Sequence, residues 1–152
     1  MATAWDSALR YLGQRAHSRQ ELIQKLTRRG YDQEEIDQTL MRLDQADLLD
    51  DAQFARDYTR SLLSSRGSSR REVQRELGKK GISSDLVADV LADLPDDFDR
   101  ALAGARKKMA GLADREKDVR WRRTLAYLAR RGFPESTCYA AVRAAEEELN
   151  GN

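Results

Sequence analysis

The chain has 152 residues, 27 Lys/Arg against 26 Asp/Glu, with 40% hydrophobic and 35% charged residues and a mean hydropathy of −0.76. That leaves room for one ordinary domain or several small units with a modest core, and it favours helices with one buried stripe and wide solvated faces. No apolar run approaches the roughly 20 residues that span a bilayer. A lone cysteine excludes an internal disulfide, and MATAWDSALRYL has no signal-peptide pattern, so a cytoplasmic protein is expected.

In chain order, the spacing of Ala4, Ala8, Leu9 and Leu12 predicts a helix over 4–16. SRQELIQKL (18–26) predicts the next, opened by Ser18 and Glu21 at capping-box spacing and closed by Gly30. Asp32 with Glu35 opens a third, whose Ile36, Leu40 and Leu43 share one face. The Asp50-Asp51 pair precedes a fourth over 52–64, with Phe54, Ala55, Tyr58 and Leu62. Ser69 with Glu72 opens a fifth, SRREVQREL (69–77), and a sixth carries Val87, Leu91 and Leu94. Asp96-Asp97 precede a seventh over 98–112, with Phe98, Leu102, Ala105, Met109 and Leu112. RWRRTLAYL (120–128) makes an eighth, and a ninth, with Pro134 in its first turn, carries Cys138, Val142 and Ala145. Both aspartate pairs are expected to cap the helices they precede.

LTRRGY (26–31), LGKKGI (77–82) and LARRGF (128–133) are one phrase written three times, with Leu26, Leu77 and Leu128 spaced 51 residues apart. A period of that size marks a repeat architecture. The expected fold is all-α: three tandem three-helix repeats, over residues 1–49, 50–95 and 96–152, forming an elongated, curved array.

Nothing in the chain assembles a catalytic set. His17, the only histidine, reads as a solvated helix-entry residue, and Cys138, at the position of Ile36 and Val87, as a small core residue. No second Cys or His completes a metal site, no third acid converges on either aspartate pair, and a phosphate-cradling GxxxxGK loop is absent. Neither enzyme activity, nor a cofactor, nor a metal is expected.

The charge is unevenly spread. Residues 62–132 hold 17 Lys/Arg and 11 Asp/Glu, whereas 1–61 hold 9 and 11 and 133–152 hold 1 and 4. A local basic surface attracts phosphate or an acidic partner; a solvated helix face is the simpler reading of Arg106, Lys107, Lys108, Lys117, Arg120 and Arg122. Each basic pair of the repeated phrase falls in a last helical turn before Gly, where the helix dipole favours it. That accounts for Arg28-Arg29; for Lys79-Lys80 and Arg130-Arg131, which further basic residues surround, structural and binding roles are expected together. On the eighth helix Trp121, Leu125 and Leu128 define the buried stripe, which sets Arg123, Tyr127 and Arg130 on the opposite side, an exposed aromatic between two guanidinium groups. On the fifth, Val73 and Leu77 point inward and send Arg71 and Arg75 outward, with Glu72 and Glu76 diluting that surface. The candidate binding residues are Arg66, Arg70, Arg71, Arg75, Lys79, Lys80, Lys107, Lys108, Arg122, Arg123, Tyr127, Arg130 and Arg131.

LLDDAQFARDYTRS (48–61), RGSSRREVQRELGKKGIS (66–83) and RRTLAYLARRGFPESTC (122–138), in that order, resemble the RecX regulators of the RecA recombinase over roughly residues 4–147. The loop ADLLDD departs from that pattern, lacking the Gly and Tyr the resemblance would place there, and the third repeat ends in an acidic AAEEEL tail. The resemblance implies a helical, non-enzymatic protein that lies in the groove of the RecA–DNA filament. There it would suppress ATP hydrolysis, strand exchange and coprotease activity in recombination, DNA repair and the SOS response. A monomer with no membrane partner is expected, and direct, weaker binding to single- or double-stranded DNA is the alternative.

Overall fold

The computed structural model describes residues 1–151 and contains, among them, nine α-helices and no strand. They are α1 Ala4–Gln14, α2 Arg19–Arg28, α3 Gln33–Gln45, α4 Asp51–Arg66, α5 Arg70–Lys79, α6 Ser84–Asp93, α7 Asp97–Ala110, α8 Lys117–Arg130 and α9 Glu135–Gly151. The predicted fold class and helix order hold, three helices to each repeat.

Two compact units divide the chain. One comprises Met1–Arg60 with Glu76–Val90, and the other Ser61–Arg75 with the residues from Leu91 onward. The first has a core of Ala4 and Ala8 from α1, Leu22 and Leu26 from α2, and Ile36, Leu40 and Leu43 from α3. The second packs Ala101, Ala105 and Met109 of α7 against Leu128 of α8, Phe133, and Cys138, Ala141, Val142 and Ala145 of α9. Small residues on α1, α7 and α9 let helix backbones approach closely where larger ones would hold them apart. Leu9, expected in the first stripe, is exposed, and Leu91 and Leu94 are only half-buried.

The repeated phrase has one backbone geometry. The amides of Tyr31, Ile82 and Phe133 donate to the carbonyls of Leu26, Leu77 and Leu128, and those of Gly30, Gly81 and Gly132 to Thr27, Gly78 and Ala129. This is the Schellman ending, with φ of +94°, +76° and +87° at the three glycines, a region in which a side chain clashes with the backbone. The end of α3 repeats it without glycine: Leu48 N–H donates to Leu43 O, Asp47 N–H to Asp44 O, and Asp47 sits at φ +53°. The ADLLDD loop therefore keeps the left-handed turn and places an aspartate in it, one of the few residue types that tolerates this region.

The capping reading needs two corrections, the first being that Asp96, at the N-cap of α7, makes no side-chain capping bond. Asp50 accepts from Gln53 N–H and caps its own helix, but Asp51 accepts from Arg19 N–H at 2.8 Å, and Asp97 from Arg70 N–H at 2.9 Å. The second aspartate of each pair thus caps the middle helix of the preceding repeat. At the same helix starts Ser18 and Ser69 accept from the amides of Glu21 and Glu72. Their hydroxyls donate onward to the last carbonyl of a later α2-type helix: Ser18 Oγ to Lys80 O at 2.6 Å in the first unit, and Ser69 Oγ to Arg131 O at 3.0 Å in the second. Each contact sets a helix C-terminus on a helix N-terminus, opposite ends of two dipoles.

His17 is not solvated. It is buried at 3% exposure, with Nδ1 bonded to Arg15 O and Nε2 to Lys25 Nζ. Because the ammonium can only donate, Nε2 accepts and Nδ1 carries the proton. Burial holds the imidazole below its usual range, and the neighbouring Arg15 and Lys25 charges add to that.

Candidate functional site

The basic residues of the second and third repeats fall into two groups. Arg70 belongs to the fold: its Nη1 donates to Leu91 O and Leu94 O at 2.7 and 2.9 Å, closing the end of α6. Lys80 Nζ reaches Glu21 Oε2 at 2.9 Å and lies over the Tyr58 ring. Burial would raise the Glu21 carboxyl, but hydrogen bonds from Arg15, Lys80 and the Ser18 amide outweigh it and hold the group at about 2. Arg131 donates to Arg66 O. Arg66 pairs with Glu72 at 3.6 Å and Lys79 with Glu76 at 3.3 Å. Glu72 is buried, with its carboxylate on Ser68 Oγ, so it does not dilute the α5 surface as its position in the sequence suggests. Arg106 is paired with Glu148 and Arg120 with Glu146, both at 2.6 Å.

The other group is exposed and uncompensated. Among the described residues Arg71, Lys107, Arg122, Arg123 and Arg130 are exposed and hold no hydrogen bond or ion pair. Arg75 is exposed too, but is not without a partner. Three of these five candidates lie on α8, and Lys117 and Arg143 are likewise exposed without a hydrogen bond or ion pair. A guanidinium with no carboxylate beside it keeps its full field for a phosphate or an acidic surface.

Tyr127 is not the outward aromatic of the helical-face reading. Thr124 and Leu128 are fully buried on α8, whereas Trp121, Leu125 and Tyr127 are half-buried. The buried arc is therefore centred nearer Thr124, and Tyr127 falls on its margin while Arg123 and Arg130 point away. Its ring lies under Lys108 Nζ, 5.5 Å from the centroid, and under the Arg131 guanidinium at 5.0 Å, rather than between Arg123 and Arg130. It lines a groove of about 290 Å³ between the end of α4, α7 and α8. Arg66, Arg100, Lys107 and Arg131 also line it, with the hydroxyl-bearing Ser64 and Ser65, and no carboxylate does. Arg100 is already engaged there, donating to Ser68 O and to Asp97 at 2.9 Å. The chemistry on offer is a cationic cleft with one aromatic face.

No group of three or more His, Cys, Asp or Glu side chains that could hold a metal occurs among the described residues, and no helix among them is long and apolar enough to cross a membrane. Cys138 is buried, its thiol donating to Phe133 O at 3.5 Å, and burial pushes it above its usual range. That is the core role expected of it.

Three family descriptions match the chain in sequence: RecX, first three-helix domain, at residues 4–43; second three-helix domain, at 50–91; and third three-helix domain, at 95–142. The chain is 40% identical over 130 residues to the regulatory protein RecX of Chlorobium phaeobacteroides, covering 86% of this chain and 85% of the relative. It is 36% identical over 149 residues to that of Prosthecochloris aestuarii, covering 98% and 95%. Its fold is similar to the crystal structure of RecX from Lactobacillus salivarius, with a TM-score of 0.80, 20% identity and 94% of each chain covered.

Proposed function

The chain belongs to the RecX family, regulators rather than enzymes, and on that premise we propose that it modulates the RecA recombinase by binding the RecA–DNA filament in its groove. Seated there, in the cytoplasm, it holds the filament in a form that neither hydrolyses ATP productively nor accepts partner DNA, and so suppresses strand exchange and coprotease activity. One observation supports this surface above others: the free cations Arg122, Arg123 and Arg130 on α8, with Lys107 on α7. Residues engaged in the fold, Arg70 and Lys80 above all, drop out of the proposed contact set. Titration into RecA on single-stranded DNA, followed by ATP hydrolysis, tests the reading. Inhibition at or below one chain per RecA subunit is expected, and its absence at that ratio refutes the proposal.

The Tyr127 groove favours a second reading, direct binding of DNA with RecA affected by competition. A base stacked on Tyr127 with its phosphates near Arg66, Lys107 and Arg131 is the contact such a groove accommodates. Affinity for bare DNA then falls steeply with salt, by a slope of about −0.7 per phosphate on a single strand. Inhibition that persists where bare-DNA binding is negligible excludes it.

A further inference from the structure

The phrase Leu-x-basic-basic-Gly-apolar ends three helices with one geometry, and two of those ends are occupied. At Lys80-Gly81 the occupant is the N-terminus of α2. Ser18 Oγ donates to Lys80 O, Gln20 lies against Gly81 so closely that a Cβ there would be 2.3 Å from the Gln20 Cβ, and Lys80 Nζ meets Glu21. At Arg131-Gly132 it is the N-terminus of α5. Ser69 Oγ donates to Arg131 O, a Cβ on Gly132 would stand 2.8 Å from that Oγ, and Glu72 is met by Arg66. Both occupants are serine-capped helices with glutamate at the third helical position, and in both the glutamate finds a cation.

The third end, Arg28-Arg29-Gly30, carries no helix N-terminus, and among the described residues its Arg29 guanidinium meets only the Tyr11 and Tyr31 phenols. All three residues are exposed, a Cβ on Gly30 would meet nothing within 4 Å, and among the described residues no side chain donates to the Arg29 carbonyl. Yet its backbone hydrogen bonds and φ match those of the occupied copies. We propose that Arg28–Tyr31 is a docking surface for the N-terminus of a helix in a partner protein, one with a serine or threonine N-cap and a glutamate three residues on. The partner's hydroxyl donates to Arg29 O, the backbone between cap and glutamate lies against Gly30, and Arg29 takes the glutamate, as Lys80 takes Glu21. The helix dipoles are aligned head to tail across the contact, as in the two internal joints.

A second copy of this chain does not present that serine- or threonine-capped start with glutamate: its exposed start at Thr3 carries the shorter Asp6 in the glutamate's place. Two of its starts of this kind, at Ser18 and Ser69, are already covered by Lys80 and Arg131. The third equivalent position is Arg120, which lies inside α8, because that helix begins at Lys117, and is locked onto Glu146 at 2.6 Å. The surface at Gly30 therefore remains available to a different protein, and the chain does not polymerise through it.

The probe is a helix-stapled, N-acetylated peptide of residues 66–79, RGSSRREVQRELGK, titrated into the isotopically labelled full-length chain and followed by amide chemical shifts. Shifts concentrated at Arg28–Tyr31 are expected. Binding should weaken at least tenfold for the same peptide carrying Ser69→Ala and Glu72→Gln, and at least tenfold for the chain variant Arg29→Glu, whose unchanged amide shifts away from Tyr11 and Tyr31 show that the fold survives the loss of those contacts. Gly30→Ala should weaken it as well, because a methyl would occupy the contact. The proposal is overturned if the peptide shifts no amide, if the shifts lie elsewhere, or if both peptides, or Arg29→Glu and the parent chain, bind equally well.

Discussion

Gly81→Ala and Gly30→Ala make the same demand on the backbone and differ in what the new methyl meets. Both force a side chain into the left-handed region, at φ +76° and +94°, which costs about 1–2 kcal/mol. At position 30 nothing lies within 4 Å, and the penalty ends there. At position 81 the methyl would stand 2.3 Å from Gln20 Cβ and 2.6 Å from Cγ. A Cβ is fixed to its own backbone and cannot rotate away, so α2 and the end of α5 must separate. Overpacking of this kind costs about 1–3 kcal/mol. Separation also lengthens the bond from Ser18 Oγ to Lys80 O, worth about 1 kcal/mol. Gly81→Ala should therefore lose about 2–4 kcal/mol more than Gly30→Ala in urea unfolding followed by helical circular dichroism. Gly132→Ala falls between them, because it meets a hydroxyl at 2.8 Å rather than a Cβ. If the variants at 81 and 30 agree within about 0.5 kcal/mol, the C-terminus of α5 is not seated on α2 as described.

Arg123→Glu with Arg130→Glu should abolish inhibition of RecA ATP hydrolysis while stability stays within about 0.5 kcal/mol, since both side chains are exposed and unpaired; unfolding in a thermal melt would give them a structural role instead. Asp47→Gly should stabilise by about 0.5–1 kcal/mol by relieving the residue at φ +53°, raising the melting temperature by about 1–4 °C; no gain would mean that the aspartate side chain offsets the strain. Thr124→Val should be neutral or stabilising by up to about 1 kcal/mol in the same melt, because the buried hydroxyl has no hydrogen-bond partner, and a loss would reveal one. Glu21 and His17 both titrate below their ordinary values of 4.5 and 6.5, so each contributes stability above that value that is lost as the pH falls. Unfolding measured from pH 7 to 2 should show a decline beginning near 6.5 and a further one between 4.5 and about 2, and Glu21→Gln should flatten the second.

The helices and their ends were readable because the signals are local. A Schellman ending is fixed by a Gly at the left-handed position and an apolar residue after it, and LTRRGY, LGKKGI and LARRGF each write both within six residues. What that ending touches is not local. Ser18 and Lys80 stand 62 residues apart, as do Ser69 and Arg131, and one-sequence periodicity carries no information on which carbonyl a cap hydroxyl will meet. The first aspartate pair shows the same division. Asp50 caps within three residues, as expected, while Asp51 reaches back 32 residues to Arg19 N–H. His17 was misplaced for a related reason: its solvation depends on Lys25 closing over it one helix face away.

The candidate surface was blurred by treating every basic residue of a stretch alike. The structure separates each pair of the repeated phrase by its place in the helix. Arg28, Lys79 and Arg130 close the last turn and are exposed, whereas Arg29, Lys80 and Arg131 hold the C-cap position, where the carbonyls of Lys80 and Arg131 take the serine hydroxyls. The C-cap member of an occupied copy is thus drawn into the joint; of the two neighbours Lys79 is held by Glu76 at 3.3 Å and Arg130 is left for a partner. On α8 the stripe drawn through Trp121, Leu125 and Leu128 left Thr124 out of the buried arc. That residue faces inward, and Gly104 of α7 lies 3.4–3.5 Å, measured from a Cβ it lacks, from Leu128 and Tyr127. A residue without a side chain at that point admits α8 close enough to bury the tyrosine's flank. Tyr127 thereby becomes the floor of a cationic groove, while Arg123 and Arg130, free of it, form the outward contact that Arg123→Glu with Arg130→Glu removes.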